Sequence, residues 1–270
     1  MDDEKKIAIQ SIVDREIKKF ADSYENRFTN EVNDPEGVIN SKKNNCFVAE
    51  LGKEFMFYSA FVRSFDSSFG KVLEKIGNEV AKLSYDVRGN IDSFLLPQQS
   101  QHMDYIILEY EKHRKPSTSD YCDFTCMIPA DTRSFEKSHV TDHYFYNSER
   151  NEHYLIELKA GGDLDNKKAK TEKLAMLQEY FILKNSLRDK PDDKIKLFFG
   201  TAYNKYGENA EWKQERVKQF FAEDELLIGK DYWNFVCDDP DGFNIVFEQY
   251  KQSSEYIKEA LERIKVLYFQ

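Results

Sequence analysis

The chain has 270 residues, of which 40% are hydrophobic and 33% are charged, and its formal net charge is -10. No apolar run approaches the length that spans a bilayer and the first residues lack a signal-peptide core, so we expect a cytoplasmic protein rather than a membrane protein. The acidic balance argues against indiscriminate coating of nucleic acid, because such affinity comes from neutralising phosphates, but it leaves room for a local basic cleft.

The N-terminal part of the sequence predicts helices. Apolar residues at helical spacing predict an amphipathic helix over residues 5–27, and a polar loop follows at 30–45. Residues 47–83 predict two helices with a break around 64–70. On the second of these, Glu74 lies beside the apolar stripe. A carboxylate there is usually a boundary residue, but it is also how a helix delivers an extra ligand to a metal site.

Three stretches in the middle of the chain have the pattern of strands. Residues 105–110 and 123–128 are candidate strands, and residues 142–159 predict a hairpin with a polar turn. Because the start of one antiparallel strand lies opposite the end of the other, the hairpin brings Asp142 beside Glu157 and Lys159. Asp123 is the rival for the aspartate role, since it also opens a predicted strand.

Glu157 and Lys159 are the most informative pair in the sequence. They lie two residues apart on a predicted strand, so both project from one face, whereas Ile156 and Leu158 project from the other. A charge is costly to bury unless it is paired or binds a metal. The pair therefore has two interpretations: a structural ion pair, or part of a hydrolytic metal site in which Lys159 stabilises the attacking water and the developing charge.

The predicted strand is followed by a turn and a basic helix. Gly161 and Gly162 permit a tight turn or the close approach of a ligand backbone, and Asp165 is a suitable helix N-cap. Phosphates would meet polar and basic side chains at the start of this helix, if these do not simply form a solvated face. The candidate DNA-binding residues are Asn166, Lys167, Lys168, Lys170 and Lys173.

The C-terminal third alternates helices with one apolar strand. We predict a helix over residues 167–187, a strand over 194–202, and helices over 211–221 and 253–267. The aromatic segment 231–236 could stack on bases, but its pattern favours core packing.

The order of elements predicts an α/β fold in which a mixed central sheet is flanked by helices. We expect a single domain over residues 1–270, with three parts along the chain. These parts are a helical N-terminal extension (1–45), a catalytic core (64–203) and a mostly helical C-terminal part (204–270).

Asp142, the Glu157-Leu158-Lys159 tripeptide, the helical Glu74 and the basic helix together resemble the PD-(D/E)xK nuclease superfamily. More narrowly, residues 64–70 leading into 74–77, the Glu-x-Lys strand and residues 227–234 resemble type II restriction endonucleases of the TdeIII kind. The similarity covers residues 64–251 in patches, and Thr141 stands where the superfamily motif has proline.

The resemblance implies a Mg²⁺-dependent restriction endonuclease that cleaves both strands of double-stranded DNA at a short, near-palindromic site. It implies that Asp142 and Glu157 bind the metal, that Lys159 orients the water and that Glu74 is an accessory carboxylate. A homodimer and a cognate DNA methyltransferase are the implied partners. Two alternatives remain: a structure- or end-specific repair nuclease of the same superfamily, and a non-catalytic DNA-binding or interaction protein.

Overall fold

The computed structural model describes residues 1–269, and its strands join into one five-stranded sheet in the order β1-β2-β3-β4-β5. The hairpin strands pair antiparallel and β1 pairs antiparallel with β2, whereas β3-β4 and β4-β5 are parallel, so the sheet is mixed as predicted. The strands are β1 (Asp86–Phe94), β2 (Glu136–Asn147), β3 (Glu152–Lys159), β4 (Lys194–Thr201) and β5 (Leu226–Ile228).

Helices account for most of the rest of the described residues. They are α1 (Asp3–Glu31), α2 (Cys46–Ala49), α3 (Lys53–Ala81), α4 (Pro97–Glu111), α5 (Ser119–Cys122), α6 (Asn166–Ser186), α7 (Glu215–Lys218), α8 (Lys230–Val236) and α9 (Gly242–Phe269). Within residues 1–269, no helix combines the length and the apolar character that crossing a membrane requires.

The chain divides into two compact units. One unit consists of Met1–Glu79 together with Asn244–Gln270, and the other consists of Val80–Phe243, which contains the whole sheet. The predicted single domain, with its parts 1–45, 64–203 and 204–270, stays a prediction. The long helices at both ends of the chain do confirm the predicted helical N- and C-terminal regions.

The sheet unit is built on side chains that alternate between two faces. Leu155 is buried in a cluster with Met176 and Phe181 of α6, whereas its neighbour Tyr154 packs on the opposite face against Phe235 of α8, with ring centroids 4.9 Å apart. Each of these faces is therefore covered by a helix. The same alternation places Glu157 and Lys159 on the face that α6 covers.

In the helical unit, α1, α3 and α9 pack through aromatic and aliphatic side chains. The ring centroid of Phe20 in α1 lies 5.6 Å from that of Phe65 and 5.7 Å from that of Phe69, both in α3. The buried carboxylate of Glu16 is compensated by Lys75, 2.8 Å away. Burial would raise the pKa of Glu16, but hydrogen bonds and charges from Lys75 and Arg15 outweigh it and lower the pKa to about 2.

Several predicted elements are wrong. The predicted break at 64–70 lies inside the continuous helix α3, because Phe65 and Phe69 stack on each other and extend the apolar stripe. The chain instead breaks at Gly52, whose φ of 92° is in the left-handed region that glycine tolerates.

The predicted strand at 105–110 is part of helix α4. The helix begins with Pro97, and the side chain of Gln99 accepts a hydrogen bond from the Leu96 amide at 2.9 Å, which caps the helix. Met103, Ile106 and Tyr110 are all buried at helical spacing. The apolar run at 105–108 therefore continues a helical stripe that starts earlier in the chain.

The remaining differences concern short or polar elements. Residues 123–128 form no strand, strand β1 was not predicted because it is mostly polar, and the predicted helix at 211–221 is α-helical only over α7. The aromatic segment is confirmed as core, since Tyr232 and Trp233 are buried.

Candidate active site

The hairpin places Asp142 and Glu157 side by side. Strands β2 and β3 pair in register up to His143 and Ile156, so the next position brings Asp142 opposite Glu157. The Oδ2 atom of Asp142 accepts a hydrogen bond from the backbone amide of Leu158 at 3.2 Å. The carboxylate of Asp142 is thereby held against Leu158, the β3 residue that separates Glu157 from Lys159.

Lys159 lies between two glutamates. Its ammonium forms an ion pair with Glu157 on its own strand, and a second one with Glu172 of α6 at a Nζ–Oε1 distance of 3.1 Å. All three side chains are partly exposed, at 28% for Lys159, 14% for Glu157 and 24% for Glu172. The group is therefore paired internally but remains accessible to a ligand.

Helix α6 adds two carboxylates that the sequence analysis missed. Glu172 and Glu179 are two helical turns apart, so they occupy the same face of α6. Glu179 is 4% exposed, and its Oε1 lies 3.0 Å from Nδ1 of His139 on β2. Their spacing on the helix that follows the Glu-x-Lys strand is a signal that could have identified them.

Carboxylates outnumber cations in this cluster, which consists of Asp142, Glu157, Glu172 and Glu179 around Lys159. Burial and then the charge of Asp142 raise the pKa of Glu157 to about 8, although Lys159 acts in the opposite direction. An ion pair alone would lower that pKa, so burial and crowding prevail.

The neighbouring groups respond to the same crowding. Burial and then the charge of Glu157 raise the pKa of Glu179 to about 8. Burial would lower the pKa of Lys159, but the charges of Glu157 and Glu172 outweigh it and raise the pKa. The lysine is thus held in its charged form within an environment that carries excess negative charge.

The turn after β3 is closely packed against the protein itself. Gly162 has a φ of 67°, and a Cβ atom there would lie 2.6 Å from the Thr201 side chain. A Cβ atom on Gly161 would lie 2.5 Å from the Tyr203 hydroxyl. The close approach that these glycines permit is therefore to β4 and the residues after it. The turn leads into α6, whose N-cap Asp165 accepts from the Lys168 amide at 2.8 Å.

The candidate DNA-binding residues of α6 separate into two groups. Asn166, Lys167 and Lys168 are exposed, and Lys170 forms an exposed ion pair with Glu111 at 2.8 Å. The prediction that Lys173 contacts DNA is wrong, because its side chain is 0% exposed and forms an ion pair with the buried Glu225. A sealed ammonium of this kind cannot reach a phosphate.

The structure separates the two candidate aspartates. Asp123 is exposed and follows the short helix α5, so it does not open a strand. Asp142 lies in the carboxylate cluster, and the geometry therefore favours Asp142. Glu74 lies on helix α3 in the helical unit, and its accessory role stays a prediction.

Within residues 1–269, no three His, Cys, Asp or Glu side chains are arranged as a ready-made metal site. The oxygen donors nevertheless suit a hard divalent cation, because Mg²⁺ is commonly held by one or two carboxylates and keeps several waters. Burial and then the charge of Asp142 raise the pKa of Glu157, and a cation beside the two carboxylates would favour their charged forms.

A family model described as type II restriction endonuclease, HinfI, matches residues 5–254 of the chain. The match includes the hairpin, the turn and helix α6, and so it contains every residue of the carboxylate cluster. No curated protein and no solved structure matches the chain.

Proposed function

We propose, from the premise that this chain belongs to the HinfI family of type II restriction endonucleases, that Asp142, Glu157 and Lys159 form its phosphodiester-hydrolysing site. Membership makes the chain a site-specific deoxyribonuclease. The observation that carries the residue assignment is the meeting of Asp142 with the Glu-x-Lys strand, through the hydrogen bond from the Leu158 amide to Asp142. The narrower resemblance to the TdeIII kind remains a proposal, because the matching family is named after HinfI.

Asp142 and Glu157 are the proposed ligands of Mg²⁺. When bound, the ion would lower the pKa of a water molecule and neutralise charge on the scissile phosphate. The two carboxylates would supply only part of the ligand set, and water and DNA phosphate would supply the rest. Glu74 remains the proposed accessory carboxylate.

Lys159 is proposed to orient the attacking water and to stabilise the negative charge that develops on the phosphate. Glu157 cannot serve the cation and Lys159 equally at the same time, because both compete for its oxygens. Glu172 offers the ammonium a second partner at 3.1 Å. We therefore assign Glu172 as the residue that positions Lys159 when Glu157 binds the cation.

Duplex DNA is the proposed substrate, and the N-terminal turn of α6 is its proposed contact. Asn166, Lys167, Lys168 and Lys170 would meet backbone phosphates there. This proposed phosphate contact is supported by a cavity of about 390 Å³, because Asn166 lines the cavity together with several basic residues. The basic residues of that cavity, which the sequence analysis missed, are His113, Arg114, Lys115, Arg216 and Lys218.

We propose that the enzyme acts as a homodimer on a short, near-palindromic site, because two-fold related subunits place one active site on each strand. A cognate DNA methyltransferase would protect the host sequence, and both proteins would act in the cytoplasm. These statements follow from the restriction function and share its test.

The decisive experiment is a digest of plasmid and phage DNA with purified protein and Mg²⁺, followed by sequencing of the ends. We expect discrete fragments whose ends share one short sequence. Smeared or singly nicked products would instead indicate a structure- or end-specific repair nuclease. Absence of cleavage at every divalent cation tested would contradict the proposed hydrolytic site.

A further inference from the structure

The helical unit contains a basic pocket that the hydrolytic site does not use. This pocket has a volume of about 640 Å³ and is lined by parts of α1 and α3 and by the segment between them. Its cationic residues are Arg27, Lys42 and Arg63. Among the described residues that line it, none carries a carboxylate.

That charge balance is unusual for this chain. Asp and Glu number 49 against 39 Lys and Arg, and most of the cations discussed above are paired with a glutamate or aspartate. Within residues 1–269, neither Lys42 nor Arg63 makes an ion pair. Lys42 and Arg63 therefore carry like charges beside one opening, and a bound anion would reduce their repulsion.

Neutral donors surround the three cations. Ser64, Ser67 and Ser68 line the pocket, and they come from the 64–70 segment whose pattern stood out in the sequence. Arg27 is held in position, because its Nε lies 2.7 Å from Glu31 and its Nη1 donates to the Ser64 hydroxyl at 3.2 Å. Hydroxyl groups and guanidinium forks are the donors that phosphate oxygens accept from.

We propose that the pocket formed by Arg27, Lys42, Arg63 and these serines binds a backbone phosphate of duplex DNA. The inference rests on the proposed function, because it takes DNA as the ligand, and it adds a contact from the helical unit to those of α6. A phosphate contact carries no sequence information directly, so the pocket would strengthen binding to all DNA sequences alike.

The test measures equilibrium binding of the full chain to a short duplex across a series of KCl concentrations, without divalent cations. Each phosphate contact contributes about 0.9 to the slope of log K against log salt. We expect Arg63→Gln and Lys42→Gln each to reduce the slope by about 1 and to weaken low-salt binding severalfold, on every sequence tested. The matched control is Lys53→Gln, an exposed lysine of α3 outside the pocket, which should change neither quantity.

Unchanged slopes in the Arg63→Gln/Lys42→Gln double variant would overturn the inference, and so would an equal loss in Lys53→Gln. Inorganic phosphate provides a second arm. Phosphate could raise the melting temperature of the wild type but not of the double variant, while both proteins show the same slope of log K for DNA against log salt. The pocket would then bind a small anion, and its assignment to DNA would be overturned.

The plasmid digest separates this inference from the proposed function. A wild-type protein that cleaves DNA while the pocket variants keep the full salt slope would contradict only the pocket. A protein that fails to cleave, but whose pocket variants lose the slope, would contradict only the hydrolytic site. Both pocket residues lie at the surface or are half-buried, so circular dichroism should show intact variants.

Discussion

Two lysines that contact or belong to helix α6 illustrate how charge balance differs between a structural pair and the proposed hydrolytic site. Lys173 is sealed with one carboxylate, that of Glu225, which also accepts from the Tyr121 hydroxyl and the Ala222 amide, each at 2.7 Å. Lys159 is partly exposed between Glu157 and Glu172, with Asp142 and Glu179 close by. The first group is satisfied within the fold, whereas the second has an excess of negative charge.

The comparison teaches that an ion pair is not by itself a sign of either role. Burying a balanced, hydrogen-bonded pair gives a rigid contact that becomes costly when one partner is removed. Crowded carboxylates cost stability but create a place where a cation binds. The two sites should therefore respond differently to mutation, and four measurements examine that difference.

The largest effect is expected on cleavage. Glu157→Ala and Lys159→Ala should each lower the rate by about a thousandfold or more, because charge stabilisation at the phosphate is lost. DNA binding should stay within about tenfold of wild type, since the proposed phosphate contacts lie elsewhere. Plasmid cleavage and equilibrium binding are measured on the same preparations. A variant that cuts at the wild-type rate would remove its residue from the site.

The next effect concerns stability at the sealed pair. Lys173→Met should lower the free energy of unfolding by about 3–5 kcal/mol, because Glu225 is left buried without its partner. Adding Glu225→Gln, which keeps an acceptor for the Ala222 amide, should recover much of the loss. Lys159→Met should cost less, since Glu157, whose pKa is raised to about 8, tolerates the neutral form and does not become a buried, uncompensated charge. Equal losses for the two lysines in denaturant titrations would break the comparison.

A smaller effect is expected at Glu172. Glu172→Gln should lower the cleavage rate at saturating DNA by about tenfold while leaving binding unchanged, because a less firmly oriented lysine is a poorer catalyst. The control is Glu152→Gln, which disrupts a Glu–Lys pair at the other end of β3, where Lys196 lies 2.7 Å away. If both variants behave alike, Glu172 has no special relation to Lys159.

The smallest effect is a pH dependence of stability. Glu157 and Glu179 have pKa values raised from 4.5 to about 8 by burial and nearby charges. The folded protein therefore holds protons that the unfolded chain releases, so their stabilisation is complete below pH 4.5 and is lost as the pH rises toward 8. Glu179→Gln should show a smaller fall in melting temperature than the wild type across that window.

Calcium provides the matching control, as a non-protonic way to relieve the same repulsion. It should raise the wild-type melting temperature most at the alkaline end of the window, and Asp142→Ala should abolish that rise. A wild type whose melting temperature follows the same pH curve as Glu179→Gln would show that the cluster is not crowded in solution.

The sequence predicted the part of the site that local patterns determine. Alternation within residues 153–159 and the polar turn before them are enough to place Asp142 beside Glu157, since antiparallel pairing fixes the partner. The capped helix after Gly162 was equally readable, because N-cap chemistry is local.

What the sequence did not predict depends on long-range packing. An apolar run such as residues 105–108 suits a strand or a buried helix, and only the covering core decides between them. The burial of Lys173 and the approach of Glu172 both depend on the rotation of α6 about its own axis. The five-stranded sheet also includes β1, whose polar residues give no strand signal because it lies at an edge.

The glycine turn between β3 and α6 has a consequence for protein engineering. Side chains at 161 and 162 would collide with Tyr203 and Thr201, so a substitution there would force the turn to shift. The turn leads directly into helix α6, and its conformation therefore sets the direction of that helix. At a rise of 1.5 Å per residue, Glu172 lies about 9 Å along the axis of α6 from Asn166, and Glu179 lies about 20 Å from Asn166. If α6 tilted by a few degrees at this turn, the carboxylates of Glu172 and Glu179 would move, and Glu179 would move by about an ångström. Variants designed to change the target sequence of this enzyme should therefore keep both glycines.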